Sequence, residues 1–295
     1  MKKVSIVIPN WDGKDYLKDC LDSLCEISYH DYMVVVVDNG SSDGSVELLK
    51  SKYTDVVIIE NKENLGFSAA CNKGIEYSIK NGFDYVLLLN NDTIVEKDFL
   101  SKMVSTGEDD KVGIVGSKIL YNDNRDLIWY AGGDYISWRV SGKHRHWMKK
   151  DSKSLSGVKD CTLVTGCNML IKKEVFDDIG LFYNPYFLTV EDLDFCYNAA
   201  KSGWKLRVNL DARIYHKVSL SRGGEFSFSN GYYGVRNRLI FAFKRGGGYL
   251  GGFIFLFLVV PIRFLQWVIS GERDMVKGMA LGLKDFIRGK QGKVE

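Results

Sequence analysis

Short apolar runs rich in β-branched residues alternate with helix-length segments over the first ninety residues of this chain. Each run has the length and composition of a buried strand. The predicted strands are Val4–Ile8, Met33–Val37, Val56–Ile59 and Tyr85–Leu89. Strands that alternate with helices predict a mostly parallel sheet with helices on both faces, which is an α/β fold.

The rest of the chain extends this pattern less regularly. Gly113–Leu120, Leu163–Ile171 and Arg213–Lys217 predict further strands, and Glu191–Lys201 has the spacing of a helix. The intervening region 121–156 is rich in Gly and aromatic residues and predicts loops or a hairpin over the sheet edge.

Polar loops follow three of the predicted strands. Asp38 ends the second, Asn61–Gly66 follows the third, and Asn90-Asn91-Asp92 follows the fourth. Ligands of open α/β sheets bind outside the carboxyl ends of the strands, so these loops are expected to converge. The oxygen-rich Asn90–Asp92 suits a divalent cation that also binds a diphosphate, although a plain turn would use the same residues.

Two of these loops carry further binding candidates. Asp38 is placed to accept hydrogen bonds from a base or a ribose, or else to cap a helix. Gly66 opens a helix, whose first N–H groups would be free for phosphate or ribose. The dinucleotide pattern G-x-G-x-x-G does not follow the first strand, and the P-loop pattern does not occur, so both of those classes are disfavoured.

Two later sites could take part in chemistry. Glu191, Asp192 and Asp194 begin a predicted helix, where carboxylates suit the helix dipole or supply a general base. His216 lies in a strand and is either a core histidine or a metal ligand that complements Asp92.

The C-terminal part differs from the rest in charge and hydropathy. From Lys217 onward it carries 13 Lys/Arg and 5 Asp/Glu, although the whole chain has a net charge of only +3. Tyr249–Ile262 is an apolar run, which Pro261 and Arg263 interrupt before it reaches the ~20 residues of a membrane span. A polar stripe then recurs through Arg263, Gln266, Ser270, Arg273 and Lys277. This predicts an amphipathic helix in the membrane interface, with packing on the body or a homodimer interface as the alternatives.

Taken in order, these motifs resemble the family-2 inverting glycosyltransferases, which have the GT-A fold, and most of all their rhamnosyltransferase-like branch. The resemblance covers about residues 4–240. The matching stretches are Val4–Asn10, Val36–Ser45, Asn64–Gly74, Leu87–Thr93 and Thr189–Cys196, and His216 with Ser221 resembles a late His…Ser element.

The resemblance implies a role for each matching residue. The residues implied to bind the nucleotide-sugar are Pro9, Asn10, Asp38, Asn64, Gly66, Asn72 and Asn91. Asp92 and His216 would hold Mg²⁺ or Mn²⁺ on the diphosphate. Asp192 would be the catalytic base, with Glu191 beside it supporting the acceptor. Cys71 stands where many members carry Arg, and the Q-x-x-R-W of processive synthases is absent, which favours transfer of a single sugar.

The resemblance also implies a domain plan and partners. Residues 1–240 would form the GT-A domain, with a nucleotide-sugar half over 1–120 and an acceptor half over 121–240, and residues 241–295 would form the membrane-associating tail. The expected partners are a nucleotide-sugar such as dTDP-rhamnose or a UDP-sugar, a glycan or lipid-linked glycan acceptor and a membrane surface, but no nucleic acid. The enzyme would be cytoplasmic, on the inner face of the cell membrane. A sugar nucleotidyltransferase and an inactive nucleotide-sugar-binding protein remain the alternatives.

Overall fold

A computed structural model describes residues 2–217 and 227–294 of the chain. Within them a ten-stranded sheet has the order β10-β12-β6-β11-β4-β1-β2-β3, with β5 paired to β12 and β7 paired to β6. The strands are β1 (Val4–Asn10), β2 (Tyr32–Asp38), β3 (Val57–Glu60), β4 (Tyr85–Leu89), β5 (Thr93–Val95), β6 (Val112–Tyr121), β7 (Ile128–Tyr130), β8 (Gly133–Ile136), β9 (Ser141–His144), β10 (Val158–Cys161), β11 (Asn168–Lys172) and β12 (Lys205–His216).

Ten helices accompany these strands in the described ranges. They are α1 (Lys14–Leu24), α2 (Ser45–Lys52), α3 (Phe67–Lys80), α4 (Phe99–Gly107), α5 (Lys173–Ile179), α6 (Glu191–Lys201), α7 (Phe228–Lys244), α8 (Tyr249–Ile254), α9 (Val260–Ile269) and α10 (Arg273–Ile287). The α/β fold is as predicted. Strands β3, β2, β1 and β4 run parallel, whereas β11 runs antiparallel between β4 and β6.

The strand order places a ligand crevice at the ends of β1 and β4. The chain winds from β1 outward to β2 and β3, and then returns to pair β4 with the other side of β1. Such a reversal leaves a gap between neighbouring loops at the carboxyl edge of the sheet. The loops after β1 and β4, which contain Trp11–Gly13 and Asn90–Asp92, therefore flank this gap.

Three predicted strands differ from the observed ones by two residues or more at one end. Strand β1 continues through Pro9, because its pairing with β4 ends at Val7 and a proline is tolerated where one side is unpaired. Strand β11 begins only at Asn168. Strand β12 begins at Lys205, and charged residues and a bulge interrupt the apolar pattern that would predict its full length. The Asn209 side chain accepts two backbone N–H groups at that bulge.

The irregular middle region contains the predicted hairpin. Strands β8 and β9 pair with each other, and a 3₁₀ turn at Ser137–Arg139 joins them. Strand β7 pairs with β6 and carries Trp129, whose ring lies 4.6 Å from the ring of His216 in an edge-on contact. The hairpin region thus reaches the same sheet edge as His216.

The C-terminal tail is two helical segments, so the polar stripe expected over 263–277 is not continuous. Helices α8 and α9 form one helix, Tyr249–Ile269, through a π-helical turn at Phe255–Val259. In that turn the Val260 N–H donates to the Phe255 carbonyl, and this wider spacing accommodates Pro261 without a break. A turn after Ile269 then separates α9 from α10.

Helix α10 packs on α7 through glycines. A Cβ on Gly278 would lie 2.2 Å from the Phe228 carbonyl oxygen, and a Cβ on Gly282 would lie 2.5 Å from that of Tyr232. Only glycine allows backbones to approach so closely. The Tyr232 hydroxyl also donates to the buried Asp285 carboxylate at 2.8 Å. The end of the chain is therefore part of the packed body.

Candidate active site

Asp92 and His216 form a buried pair at the carboxyl edge of the sheet. Strand β5 begins directly after Asp92 and pairs with the end of β12, which sets His216 opposite Thr93. The His216 Nε2 lies 3.1 Å from the Asp92 carboxylate, and both side chains are 8% exposed. Sheet register therefore brings together two residues that are 124 positions apart in the sequence.

The chemistry of this pair fits a divalent cation. Burial lowers the pKa of His216, but the neighbouring Cys167 and the Asp92 carboxylate outweigh it and raise that pKa to about 10. A carboxylate and a neutral imidazole are both ligands that Mn²⁺ accepts, so a bound cation would displace the proton that His216 otherwise carries. The described residues contain no group of three or more His, Cys, Asp or Glu that could hold a metal. Two protein ligands suit a cation that takes its other ligands from a diphosphate and water.

A short loop before β11 connects this pair to Asp192. The Gly166 N–H donates to the Asp192 carboxylate at 3.1 Å, and the neighbouring Cys167 carbonyl accepts the Asn90 N–H at 2.9 Å. Cys167 is also a hydrogen-bond partner of His216. This loop was not expected from the sequence, where its signal is the polar break Thr165–Asn168 inside the apolar run Leu163–Ile171.

The three carboxylates that begin α6 have different surroundings. Asp192 is partly exposed, and its other oxygen accepts the Leu193 N–H at 2.8 Å. Asp194 is buried and is bound by Arg245 at 2.9 Å and by Asn198 at 2.6 Å. Burial raises the pKa of Asp194, while Arg245 opposes that shift. Asp194 therefore joins α6 to the end of α7, whereas Asp192 is available to a ligand. Glu191 is buried in the same first turn.

The loop that presents Asp192 is strained. Phe187, Thr189 and Val190 all have positive φ, which costs bulky residues about 1–3 kcal/mol each. The buried Asn237 of α7 holds this loop, because its amide nitrogen lies 2.7–3.0 Å from the carbonyls of Tyr186, Leu188 and Thr189. Asn237 stands between two arginines in α7, so no sequence signal separated it from a solvated polar residue.

The predicted nucleotide residues at the other side of the crevice form a hydrogen-bond chain. Asn91 donates to the Asn10 side chain at 2.7 Å, and Asn10 donates to Asp38 at 3.0 Å. Asp38 also accepts from the Gly40 and Ser41 N–H groups and from the Ser41 hydroxyl. Four donors fill the usual capacity of a carboxylate, so in this state Asp38 holds the loop after β2. Pro9 immediately precedes Asn10 in β1.

Gly66 and Asn72 make contacts within the protein, and their nucleotide-sugar roles stay predictions. Two N–H groups at the start of α3 have acceptors within the protein, because Gly66 donates to the Asn64 side chain and Phe67 donates to the Phe187 carbonyl. Gly66 is needed for space, since a Cβ there would lie 2.4 Å from the Phe187 oxygen. The Asn72 amide bonds the backbone of Phe182 and the side chain of Asn184, which joins α3 to the loop before Asp192.

The structure thus gathers most of the predicted residues at one edge. Asn10, Asp38 and Asn91 lie on one side of the crevice, and Asp92, His216 and Asp192 are joined through the loop at Gly166–Cys167. Ser221, the second half of the expected His…Ser element, lies outside the described residues.

Comparison with known proteins identifies the family of this chain. The sequence model of Glycosyl transferase family 2 matches residues 5–180, which is more than half of the chain. An uncharacterized protein of Sinorhizobium fredii is 30% identical over 235 residues, covering 75% of this chain and 25% of that protein. A poly(ribitol-phosphate) beta-glucosyltransferase of Bacillus spizizenii is 25% identical over 253 residues, covering 82% of this chain and 37% of that protein. The chain therefore spans well under half the length of these two relatives.

A solved structure supports the same fold. The mannosyltransferase PcManGT from Pyrobaculum calidifontis, in complex with GDP-Man and Mn²⁺, superposes with a TM-score of 0.60 at 16% identity. The match covers 97% of this chain and 75% of that one. The fold is therefore of the GT-A type, as predicted. On the family match and this fold together, the chain belongs to glycosyl transferase family 2.

Proposed function

We propose that this chain transfers one sugar from a nucleotide-diphosphate sugar to a hydroxyl of a lipid-linked glycan, with inversion, in cell-surface polysaccharide synthesis. The observation that carries the proposal is the loop Gly166–Cys167, which bonds the base candidate Asp192 and the loop of the metal candidate Asp92 at once. A donor diphosphate at Asp92 and an acceptor at Asp192 would therefore be neighbours.

The donor would occupy the crevice between the ends of β1 and β4. The loops after β1 and β2 are bonded together there, since the Asp12 carboxylate accepts the Ser42 N–H at 2.7 Å and the Ser41 hydroxyl accepts the Asp12 N–H at 3.0 Å. This fixed wall suits a nucleoside, whose diphosphate would extend toward Asp92. We expect a dTDP- or UDP-linked sugar. Bound there, Mg²⁺ or Mn²⁺ held by Asp92 and His216 would neutralise the departing nucleoside diphosphate.

Asp192 would act as the general base. It would take the proton of the acceptor hydroxyl, and that oxygen would attack the anomeric carbon from the side opposite the diphosphate. The carbon–oxygen bond to the diphosphate breaks as the new bond forms, so a single displacement inverts the centre and needs no second nucleophilic carboxylate. Glu191, in the same helical turn, would support the acceptor.

Two alternatives fit the site less well. A sugar nucleotidyltransferase usually has a Gly-rich basic loop after its first strand, but here Trp11-Asp12-Gly13 follows β1. A binding protein without activity would not need a partly exposed carboxylate at Asp192, on a strained loop. The site therefore favours sugar transfer.

Thermal stability with candidate donors tests the donor assignment. We expect one nucleotide-sugar of a panel of UDP-, dTDP- and GDP-sugars to raise Tm with Mn²⁺ and to do so much less with EDTA. At about 100 times its Kd such a donor adds about 2.7 kcal/mol, or a rise on the order of 5–10 °C. A panel in which every donor leaves Tm unchanged would contradict the proposal.

We also propose that helix Tyr249–Ile269 lies on the cytoplasmic face of a membrane. It has 21 residues, and its most apolar 18-residue window has a mean hydropathy of 2.1 and is only 17% buried, so by length and composition it could cross a bilayer. Both of its ends, however, contact the same body. Near its start, a Cβ on Gly251 would lie 2.0 Å from the Ser137 oxygen, and after its end α10 packs on α7. A helix held at both ends to one body fits the interface better than a span.

Vesicle flotation tests this membrane assignment. Removing residues after Lys244 would uncover α7, so substitutions in the full chain are the sharper test. We expect Phe257→Ser with Leu265→Ser to lose flotation with phosphatidylglycerol vesicles, since each buried side chain contributes about 1.5–3 kcal/mol. Val158→Ser, at an exposed apolar residue on the edge strand β10, is the matched control and should float. A wild-type chain that stays unbound and sediments as a dimer would favour the homodimer interface instead.

A further inference from the structure

Three arginines from different elements lie around the π-helical turn Phe255–Val259 of the exposed apolar helix. Arg139 ends the 3₁₀ turn of the β8–β9 hairpin, Arg238 belongs to α7, and Arg263 belongs to α9. The Arg238 guanidinium lies 5.4 Å from the centre of the Phe255 ring, in the π-helical turn. Close backbone packing of the turn at Ser137 on α8 brings Arg139 to the same place.

No carboxylate neutralises these arginines in the ranges 2–217 and 227–294. Arg139 donates to the Ser141 hydroxyl at 2.6 Å, and Arg263 donates to the Gln266 side chain at 3.3 Å. Within those ranges Arg238 has no hydrogen bond or ion pair and contacts the Phe255 ring. Burial, together with the positive charges of Arg139 and Arg263, lowers the pKa of Arg238 to about 10.

Three other arginines among the described residues are paired with carboxylates. Arg145 binds Asp134, Arg207 binds Asp109 and Asp160, and Arg245 binds Asp194. A partly buried cation without a counter-ion, next to two like charges, costs stability unless an anion joins it. Three guanidinium groups suit a phosphate, because each can donate a fork of parallel N–H groups.

We propose that Arg139, Arg238 and Arg263 bind the diphosphate of a lipid-linked acceptor whose chain lies along the apolar helix. The inference rests on the proposed function and names the group by which the acceptor is held. Exposed apolar side chains stand on the same helix, including Phe253 and Phe257, whose rings stack at 6.3 Å. An anionic head at the arginines and an apolar chain on these rings match the two parts of a polyprenyl diphosphate.

Vesicle binding of the full chain tests the site. Phosphatidylcholine vesicles would be used plain, with phosphatidylglycerol, or with a polyprenyl diphosphate at equal charge. We expect the wild type to prefer the diphosphate vesicles, and Arg238→Met to lose about tenfold or more of that affinity, as expected for a lost charge-assisted hydrogen bond. Arg288→Met removes the same charge from an exposed position and should keep the preference. An equal loss with both anionic lipids would overturn the assignment to a diphosphate and indicate a general lipid contact.

Stability separates a binding role from a structural one. Since Arg238 has no counter-ion among the described residues, Arg238→Met should keep or raise the Tm of the lipid-free protein. A lowered Tm would make Arg238 a structural residue and overturn the proposal for it. If that variant does not fold, Arg139→Gln, at the rim, should show the same selective loss of diphosphate binding, and unchanged binding there would reject the site. Donor-induced stabilisation with Mn²⁺ should persist in every variant; its absence from the wild type would contradict the proposed function instead.

Discussion

Asp192→Asn is expected to lower sugar transfer by roughly 10²–10⁴-fold while leaving donor binding nearly unchanged. The amide keeps the size of the side chain and can still accept from the Gly166 N–H, but it cannot take a proton from the acceptor. Initial rates with a saturating donor, measured beside the donor-induced rise in Tm, would separate these two effects. Turnover close to wild type would reject Asp192 as the base.

Asp194→Asn is the informative comparison for that experiment. It makes the same chemical change two residues away, but on a buried carboxylate that pairs with Arg245 at 2.9 Å. We expect this variant to have a lower Tm and a smaller loss of turnover than Asp192→Asn, because it leaves Arg245 without its charged partner. A pair of variants in which Asp192→Asn loses stability and Asp194→Asn loses only turnover would reverse the two assignments.

The parts of the fold that the sequence predicts well are those with a strong local pattern. Strand Tyr85–Leu89 and helix Glu191–Lys201 have the predicted bounds, because an unbroken apolar run and a clear helical spacing need no distant partner. Strand β12 was predicted only at its end, since exposed Lys205 and Asp211 interrupt its apolar residues. Its full length depends on pairing with β6 and β10, which no local pattern reports.

The candidate site shows the same division. Asp92 and Asp192 could be proposed because each stands at a predicted strand or helix end. The register that sets His216 beside Asp92 and the bond from Gly166 to Asp192 depend on tertiary pairing of β5 with β12 and on the loop before β11. Asn72 was proposed from its motif alone, and the motif does not reveal that its side chain bonds the backbone of Phe182.

The apolar run from Tyr249 predicted a helix in the tail, and that helix is present. Many of its apolar side chains are exposed. Its helix extends to Ile269 because a π-helical turn accommodates Pro261, a change in hydrogen bonding that residue spacing does not reveal. The close packing of α10 on α7 could not be predicted from its glycines either. Gly278 and Gly282 lower helix propensity, and they indicate packing only once the partner helix is known.

Asp92→Ala is expected to abolish the part of donor binding that depends on a divalent cation. It removes the only carboxylate in the loop after β4, and the remaining buried partner, His216, carries no negative charge to attract a cation. The rise in Tm of on the order of 5–10 °C that a donor gives with Mn²⁺ should fall to the value measured with EDTA.

Two controls make the Asp92 result specific to the metal. His216→Ala should weaken the Mn²⁺-dependent rise less than Asp92→Ala, because the carboxylate carries the negative charge that attracts the cation. Asp110→Ala, at an exposed carboxylate before β6, should leave it unchanged. Full sugar transfer in EDTA would show that no metal is needed, and Asp92 and His216 would then be a buried ion pair that fixes β5 against β12.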